Sequence, residues 1–183
     1  MNTFITSDIH FGHPNIIKFC PKTRGHYKSV SEMNEDIILR WNAEVTYEDT
    51  VFILGDVSFA DAATTVNILS RLNGKKILIV GNHDKKLLKD QRFRAQFEKI
   101  YDYYEENMLG LKVVMFHYPI GEYNQQHRGA VHFHGHLHQN PSGLEKYRVR
   151  NVGFDYTGKV VWKIEDAVAD ALKGEIKTHG SGD

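Results

Sequence analysis

Five short segments spread along the chain each set metal-binding residue types directly after an apolar, β-prone run. They are Asp8-Ile9-His10, Gly55-Asp56, Gly81-Asn82-His83-Asp84, Phe116-His117 and Gly135-His136-Leu137-His138. The runs before them cover residues 3–6, 51–54, 77–80, 113–116 and 131–133. A single strand-end histidine or aspartate is commonplace. Five such ends, rich in carboxylate, amide and imidazole groups, demand a fold that gathers its strand termini along one edge, and they point to a metal site there.

The rest of the chain supports that demand. Apolar runs alternate with amphipathic stretches, as in an α/β protein. With Ser31 as N-cap, Met33, Ile37, Ile38, Trp41 and Val45 recur at helical spacing. A second helix, from about residue 60, turns Ala62, Val66, Leu69 and Leu72 inward, and Gly74 suits a left-handed C-cap. A strand at 76–80 follows, and two such βα units imply parallel strands. The second half reads as strands over 111–116, 131–133, 147–152 and 160–164, then a helix over 166–172 ended by Gly174. Residues 1–177 are expected to form one domain, and the Gly/Ser-rich end at 178–183 a flexible tail. The irregular stretches 119–129 and 140–146 adjoin the motifs and are placed to shape substrate access.

Charge and cysteine use narrow the function classes. Lysine plus arginine and aspartate plus glutamate both number 23, so the formal net charge is zero and no global field draws in nucleic acid. Basic groups at Lys18, Lys22, Arg24 and Lys28, and at Lys85, Lys86 and Lys89, read first as solvated surface. Cys20 is the single cysteine, which excludes an internal disulfide and fits a reducing cytoplasm. It reads as a small apolar filler rather than a nucleophile. No apolar run nears the roughly 18 residues of a membrane span, and the opening residues lack a signal peptide's basic and apolar regions. A cytoplasmic location without membrane contact is therefore expected.

Open α/β sheets bind ligands beyond the carboxyl ends of their strands, where Asp8, Asp56 and Asn82 stand. Asp8, His10, Asp56, Asn82, His117, His136 and His138 make seven donors. Their mixture of carboxylate, amide oxygen and imidazole suits Mn²⁺ first, with Fe²⁺, Zn²⁺, Co²⁺ or Ni²⁺ as alternatives. No thiolate is expected near the site, which speaks against a structural zinc site. Seven donors are more than one ion needs, whereas two ions bridged by a carboxylate use them economically.

In order and content the five motifs resemble the calcineurin-like metallophosphoesterase superfamily, marked by Asp-x-His, Gly-Asp, Gly-Asn-His-Asp/Glu, a lone His and Gly-His-x-His. The first two are weak alone; the ordered set, spanning residues 8 to 138, is very specific. The stretch Phe11-Gly12-His13-Pro14-Asn15-Ile16-Ile17 looks like the small stand-alone bacterial and phage members. The resemblance implies an α/β sandwich of mixed β-sheets flanked by helices, with the metal site at the strand C-terminal ends. It implies that Asp8, His10 and His138 hold one ion, that Asn82, His117 and His136 hold the other, and that Asp56 bridges them. His83 is then the catalytic group that protonates the leaving oxygen, and a metal-bridging hydroxide attacks phosphorus in line. Many phosphomonoesterases of the family place a second aspartate three residues after Gly-Asp; here Phe59 stands there. That departure tilts the expected substrate towards phosphodiesters, a nucleotide among the candidates. A non-catalytic metal-binding scaffold and a nuclease are the alternatives, and neither the zero net charge nor the domain content favours the nuclease.

Other polar residues carry two readings each. His13 reaches substrate or packs a loop. Arg24 clamps a phosphate bidentately or sits on the surface. His132 and His134 share one face of their strand, either supporting the metal ligands or forming an ordinary polar face. No P-loop, His-Glu-x-x-His or Gly-x-Ser-x-Gly motif is present.

Overall fold

Two sheets lie face to face, and alternation along their strands decides which residues meet between them. The computed structural model describes residues 1–178; the expected tail lies outside that range beyond Thr178. In chain order the elements are β1 (Thr3–Thr6), α1 (Ile16–Phe19), α2 (Pro21–Arg24), α3 (Val30–Glu44), β2 (Thr50–Ile53), α4 (Ala62–Ser70), β3 (Lys75–Ile79) and α5 (Gln91–Arg94). There follow β4 (Lys99–Tyr101), β5 (Tyr104–Met108), β6 (Leu111–Met115), β7 (Val131–His134), β8 (Val149–Asn151), α6 (Phe154–Thr157), β9 (Trp162–Lys163) and α7 (Ile164–Ala171).

The first sheet has the order β4-β3-β2-β1-β9 and the second β5-β6-β7-β8. β1 to β4 are parallel, and β9 joins β1 antiparallel. In the second sheet β6, β7 and β8 are parallel and β5 joins β6 antiparallel, so both sheets are mixed. Ile5, Phe52, Leu54 and Ile79 of the first sheet meet Val113, Met115, Val131 and Phe133 of the second. Val168 and Ala171 of α7 close this layer. On the other face of the first sheet, Phe4, Val51, Ile53 and Leu78 pack against Met33, Ile37 and Trp41 of α3 and Leu69 of α4. Period-two strands and period-3.6 helices thus share one core, giving the α/β sandwich that the motif set implied.

Several boundaries differ from the sequence reading, each for a local reason. The N-cap of α3 is Ser29, not Ser31: its side chain accepts the Glu32 amide, and Glu32 accepts the Lys28 amide. Ile164 opens α7 two residues early and cuts the strand expected over 160–164 to Trp162–Lys163. β4 and β5 are strands the apolar pattern does not reveal. β5 is an edge strand carrying Glu105 and Glu106, and a turn through Leu109 (φ 53°) and Gly110 (φ 79°) pairs it to β6.

The strand ends carrying the motifs converge. Beyond β1 and β2 the chain continues side by side, with Asp8 N–H donating to Gly55 O (3.1 Å) and His10 N–H to Asp56 O (3.1 Å). Phe154 N–H donates to Ser7 O (3.1 Å), and His117 Nδ1–H to Leu54 O (2.6 Å), which tie the second sheet's ends to the first. No helix among the described residues is long and apolar enough to cross a membrane.

His132 and His134 are not polar-face residues: both are buried. His132 Nδ1–H donates to Val114 O (3.2 Å), its Nε2 accepts the Ile120 amide (3.1 Å), and Tyr123 packs on the ring. The 119–129 loop thus covers the back of β7. Burial pushes the His132 imidazole down to about 3 from its ordinary value near 6.5. The unfolded chain therefore binds more protons than the folded one between those values, and stability falls as pH falls through that window. One such group supplies up to about 1.4 kcal/mol per pH unit there. His132→Gln should flatten this acid destabilisation, read as urea midpoints at pH 7 and pH 4. Parallel pH profiles for wild type and variant would contradict the assignment.

Candidate metal centre

The first group of donors comes from both ends of the fold. Asp8 and His10 follow β1, and His138 follows β7. One donor atom from each lies within 4.8 Å of the others. A second group, formed by Asp56 after β2, His117 after β6 and His136 after β7, meets the same limit. Asn82 joins it: its Oδ1 stands 2.9 Å from His117 Nε2 and 3.0 Å from His136 Nδ1. Asp56 Oδ2 lies between the groups, 3.8 Å from His10 Nε2, 3.6 Å from His117 Nε2 and 3.9 Å from His83 Nε2. The structure therefore brings all seven expected donors and His83 to one strand-end cleft.

Close approach of backbones makes this convergence feasible. A Cβ on Gly135 would fall 1.9 Å from Ser7 Oγ and 2.2 Å from Asp8 Oδ2; one on Gly81 would fall 2.3 Å from Asp56 Oδ1. Five donors, Asp8, His10, Asp56, His136 and His138, hold left-handed backbone conformations with φ between 49° and 68°. Such angles are uncommon for non-glycine residues and gather at functional sites. Hydrogen bonds hold them in place. His136 N–H donates to both Asp8 oxygens (3.1 and 2.9 Å), and His83 N–H donates to Asp56 Oδ1 (2.9 Å).

Asp84, the last residue of the third motif, is a clip. Its buried carboxylate accepts the amides of Asp56 (2.9 Å), Val57 (2.9 Å) and Gly81 (2.8 Å), locking the β2 and β3 loops together. Burial raises its pKa although these amides oppose the shift. Only its place in the motif marks it in sequence.

The donor chemistry fits a divalent cation. His10 is 2% exposed, and neither ring nitrogen has a hydrogen-bond partner. Burial holds this ring and that of His136 below the ordinary histidine value, keeping their lone pairs free. His117 donates from Nδ1 to Leu54 O, which leaves Nε2, 2.9 Å from Asn82 Oδ1, as the nitrogen turned towards the other donors. Asp8 gains from burial a push upwards, but His10 and the neighbouring imidazoles hold it below the usual carboxylate range. His138 is the exception: burial disfavours its charge, yet Asp155, Cys20 and Asp8 bring it up to about 10.

Three readings need correction or completion. Arg24 is neither a surface residue nor a phosphate clamp. It is 0% exposed, and Nε (2.7 Å) and Nη2 (3.0 Å) grip the two oxygens of Asp155. Cys20 is buried, but a thiol does lie near the centre, with Sγ 3.9 Å from His138 Nδ1. Asp155 itself went unread; it lies just beyond β8, at the same sheet edge, so the strand-end pattern extended to one more strand would have found it. His13 sits at the rim, 4.1 Å from the Phe59 ring and 5.8 Å from that of His10. Burial, with His10 and Arg24 nearby, pushes it down to about 4, so it is neutral at pH 7.

Residues 1–166 match the model of the calcineurin-like phosphoesterase superfamily domain. The chain is 36% identical to the uncharacterized protein MJ1445 of Methanocaldococcus jannaschii, over 75% of this chain and 69% of that one. It is 26% identical to the Gene 66 protein of Mycobacterium phage L5, over 90% and 91% of the two chains. The crystal structure of AQ665 from Aquifex aeolicus, a protein of unknown function, superposes with a TM-score of 0.71, at 26% identity over 90% of this chain and 96% of that one. With its mixed sheets, flanking helices and ordered motifs, the chain belongs to the calcineurin-like phosphoesterase superfamily.

Proposed function

We propose that the protein is a dinuclear metal-dependent phosphoesterase that favours phosphodiesters, with Mn²⁺ the first candidate ion. The observation that carries this reading is the pair of donor groups on either side of Asp56 Oδ2, one of them containing a buried imidazole with no partner at either nitrogen. Asp8, His10 and His138 would hold one ion, Asn82, His117 and His136 the second, and Asp56 both. When bound, such a pair lowers the pKa of water towards neutrality and offsets charge on the phosphoryl oxygens.

The chain's own residues account for the rest of the reaction. In an in-line displacement the bond from phosphorus to the leaving oxygen breaks while one to a water oxygen forms on the opposite side. The leaving oxygen needs a proton, and in this reading His83 would give it. Its side chain is 47% exposed at the mouth of the cleft, while its backbone amide is fixed to Asp56. Next to it opens a cavity of about 580 Å³ lined by Phe59, Asn82, His83, Lys85 and Lys86 among others. That size suits a small-molecule substituent, and the two lysines favour an anionic one. Phe59 packs 4.5 Å from the His83 ring, where a monoesterase would set an orienting carboxylate. A less strongly supported acid suits leaving groups that need less protonation, which supports the diester preference.

Chelation should abolish hydrolysis of bis(p-nitrophenyl) phosphate, and added Mn²⁺ should restore it. Failure of every divalent ion to restore turnover in a folded sample would refute the enzymatic reading. His83→Ala should keep both ions but slow hydrolysis of a dinucleotide, whose leaving group is an alkoxide, by about 10²–10⁴-fold. The p-nitrophenyl ester should suffer much less; equal losses on both substrates would remove His83 from the proton-donor role. Asp56→Asn should weaken binding of both ions together, as read by metal analysis after dialysis. Two tightly held ions in that variant would rule out bridging.

A further inference from the structure

Arg24 and Asp155 lie outside the motifs, yet their buried ion pair touches only one half of the metal centre. Asp155 Oδ1 accepts from Arg24 Nε (2.7 Å) and Thr23 Oγ1 (2.8 Å); Oδ2 accepts from Arg24 Nη2 (3.0 Å) and His138 Nδ1 (2.9 Å). Two further guanidinium N–H groups turn to the backbone on either side of the first motif's centre, and another faces Met33 Sδ (3.7 Å). Nη2 donates to Asp8 O (2.8 Å) and Nη1 to Ile9 O (2.7 Å). The Phe154 ring lies beneath the guanidinium, 4.7 Å from its carbon. One pair therefore holds the ring of His138 and the left-handed turns of Asp8 and His10.

We infer that Arg24 and Asp155 are positioning residues for the Asp8–His10–His138 half of the centre and leave the Asp56–Asn82–His117–His136 half untouched. The inference rests on the ligand roles proposed above. Asp155 fixes Nδ1 of His138 as the protonated nitrogen, so Nε2 is the one left to face a cation. A carboxylate behind a ligating histidine orients the ring and raises its basicity. Arg24 has two tasks: it balances the charge of Asp155 and it pins the peptide between Asp8 and His10. No separate ion is needed among Cys20, His138 and Asp155, although their donors cluster. Arg24 already supplies the positive charge there, and both Asp155 oxygens are occupied.

The expected result is an asymmetric loss of metal affinity. In titrations of the metal-free protein with Co²⁺, followed by calorimetry and by the visible absorption of the bound ion, wild type should take up two ions. Asp155→Asn should weaken one of the two steps by about 10–100-fold and leave the other unchanged. Because that variant strands a buried guanidinium, the neutral pair Arg24→Gln/Asp155→Asn serves as a second test that removes both charges. The Co²⁺-loaded wild type should also show a solvent-protected, paramagnetically shifted proton on Nδ1 of His138, and both variants should lose it. A folded variant that binds two ions with wild-type affinities and keeps that resonance overturns the inference. Equal weakening of both steps also overturns it, because it marks a general structural defect. A wild-type protein that binds fewer than two ions would instead bring down the ligand roles themselves.

Discussion

The structure depends on how closely the strand ends of two sheets approach one another. Two glycines set that distance: Gly135 lies against Ser7 and Asp8, and Gly55 against His117, while Gly81 lets the end of β3 lie against Gly55 and Asp56 within the first sheet, and none of the three has room for a methyl group. Gly55 also needs its left-handed φ of 87°, whereas Gly81 and Gly135 are required for space alone. If the ends were held one side chain further apart, donors of the first sheet could not share a site with His117, His136 and His138. The packed layer of Ile5, Phe52, Leu54, Val113 and Phe133 sets the sheets face to face, but the glycines let their edges meet.

That approach forces strain on the donors, and other contacts offset it. A left-handed conformation costs an ordinary residue roughly 1–2 kcal/mol, somewhat less for Asp, and five donors adopt it. The Asp84 carboxylate, with three backbone amides, and the His136 amide on Asp8 stabilise these turns. A buried carboxylate accepting several amides is a strong local constraint because each lost bond would leave a buried donor unpaired. These side chains are therefore held in place by the protein itself, a pre-organisation that would lower the ordering cost of the proposed cation binding.

What the sequence reveals follows the range of the interactions. The proposed metal donors stand out in the sequence because each motif packs its chemistry into two to four consecutive residues after a strand. The parallel β1, β2 and β3 are legible from two βα units. β5 escapes because an edge strand needs no apolar alternation, and Glu105 and Glu106 look like a loop. Arg24 is misread because an arginine is rarely fully buried without a partner, and its partner stands 131 residues away. Cys20 reads rightly as buried, but its nearness to His138 is a tertiary fact that no local pattern carries.

Phe59 underlies the diester preference proposed for the site. Its ring, 41% exposed, gathers His10, His13 and His83 at 5.1, 4.1 and 4.5 Å between ring centres. An aromatic face attracts an imidazolium only weakly, whereas a carboxylate would accept its N–H and stabilise the charged form strongly. A carboxylate that does stand near His83 is that of Asp56, 3.9 Å away, and Asp56 is the residue proposed to serve two cations. A phosphodiester carries a single negative charge and two organic arms. It asks less charge compensation of the site than a monoester dianion does, and its second arm can use the apolar wall that Phe59 provides. On the proposed reading, the ring gives His83 an aromatic neighbour in place of a carboxylate and adds apolar surface for a substrate's second arm, which supports the diester preference proposed above.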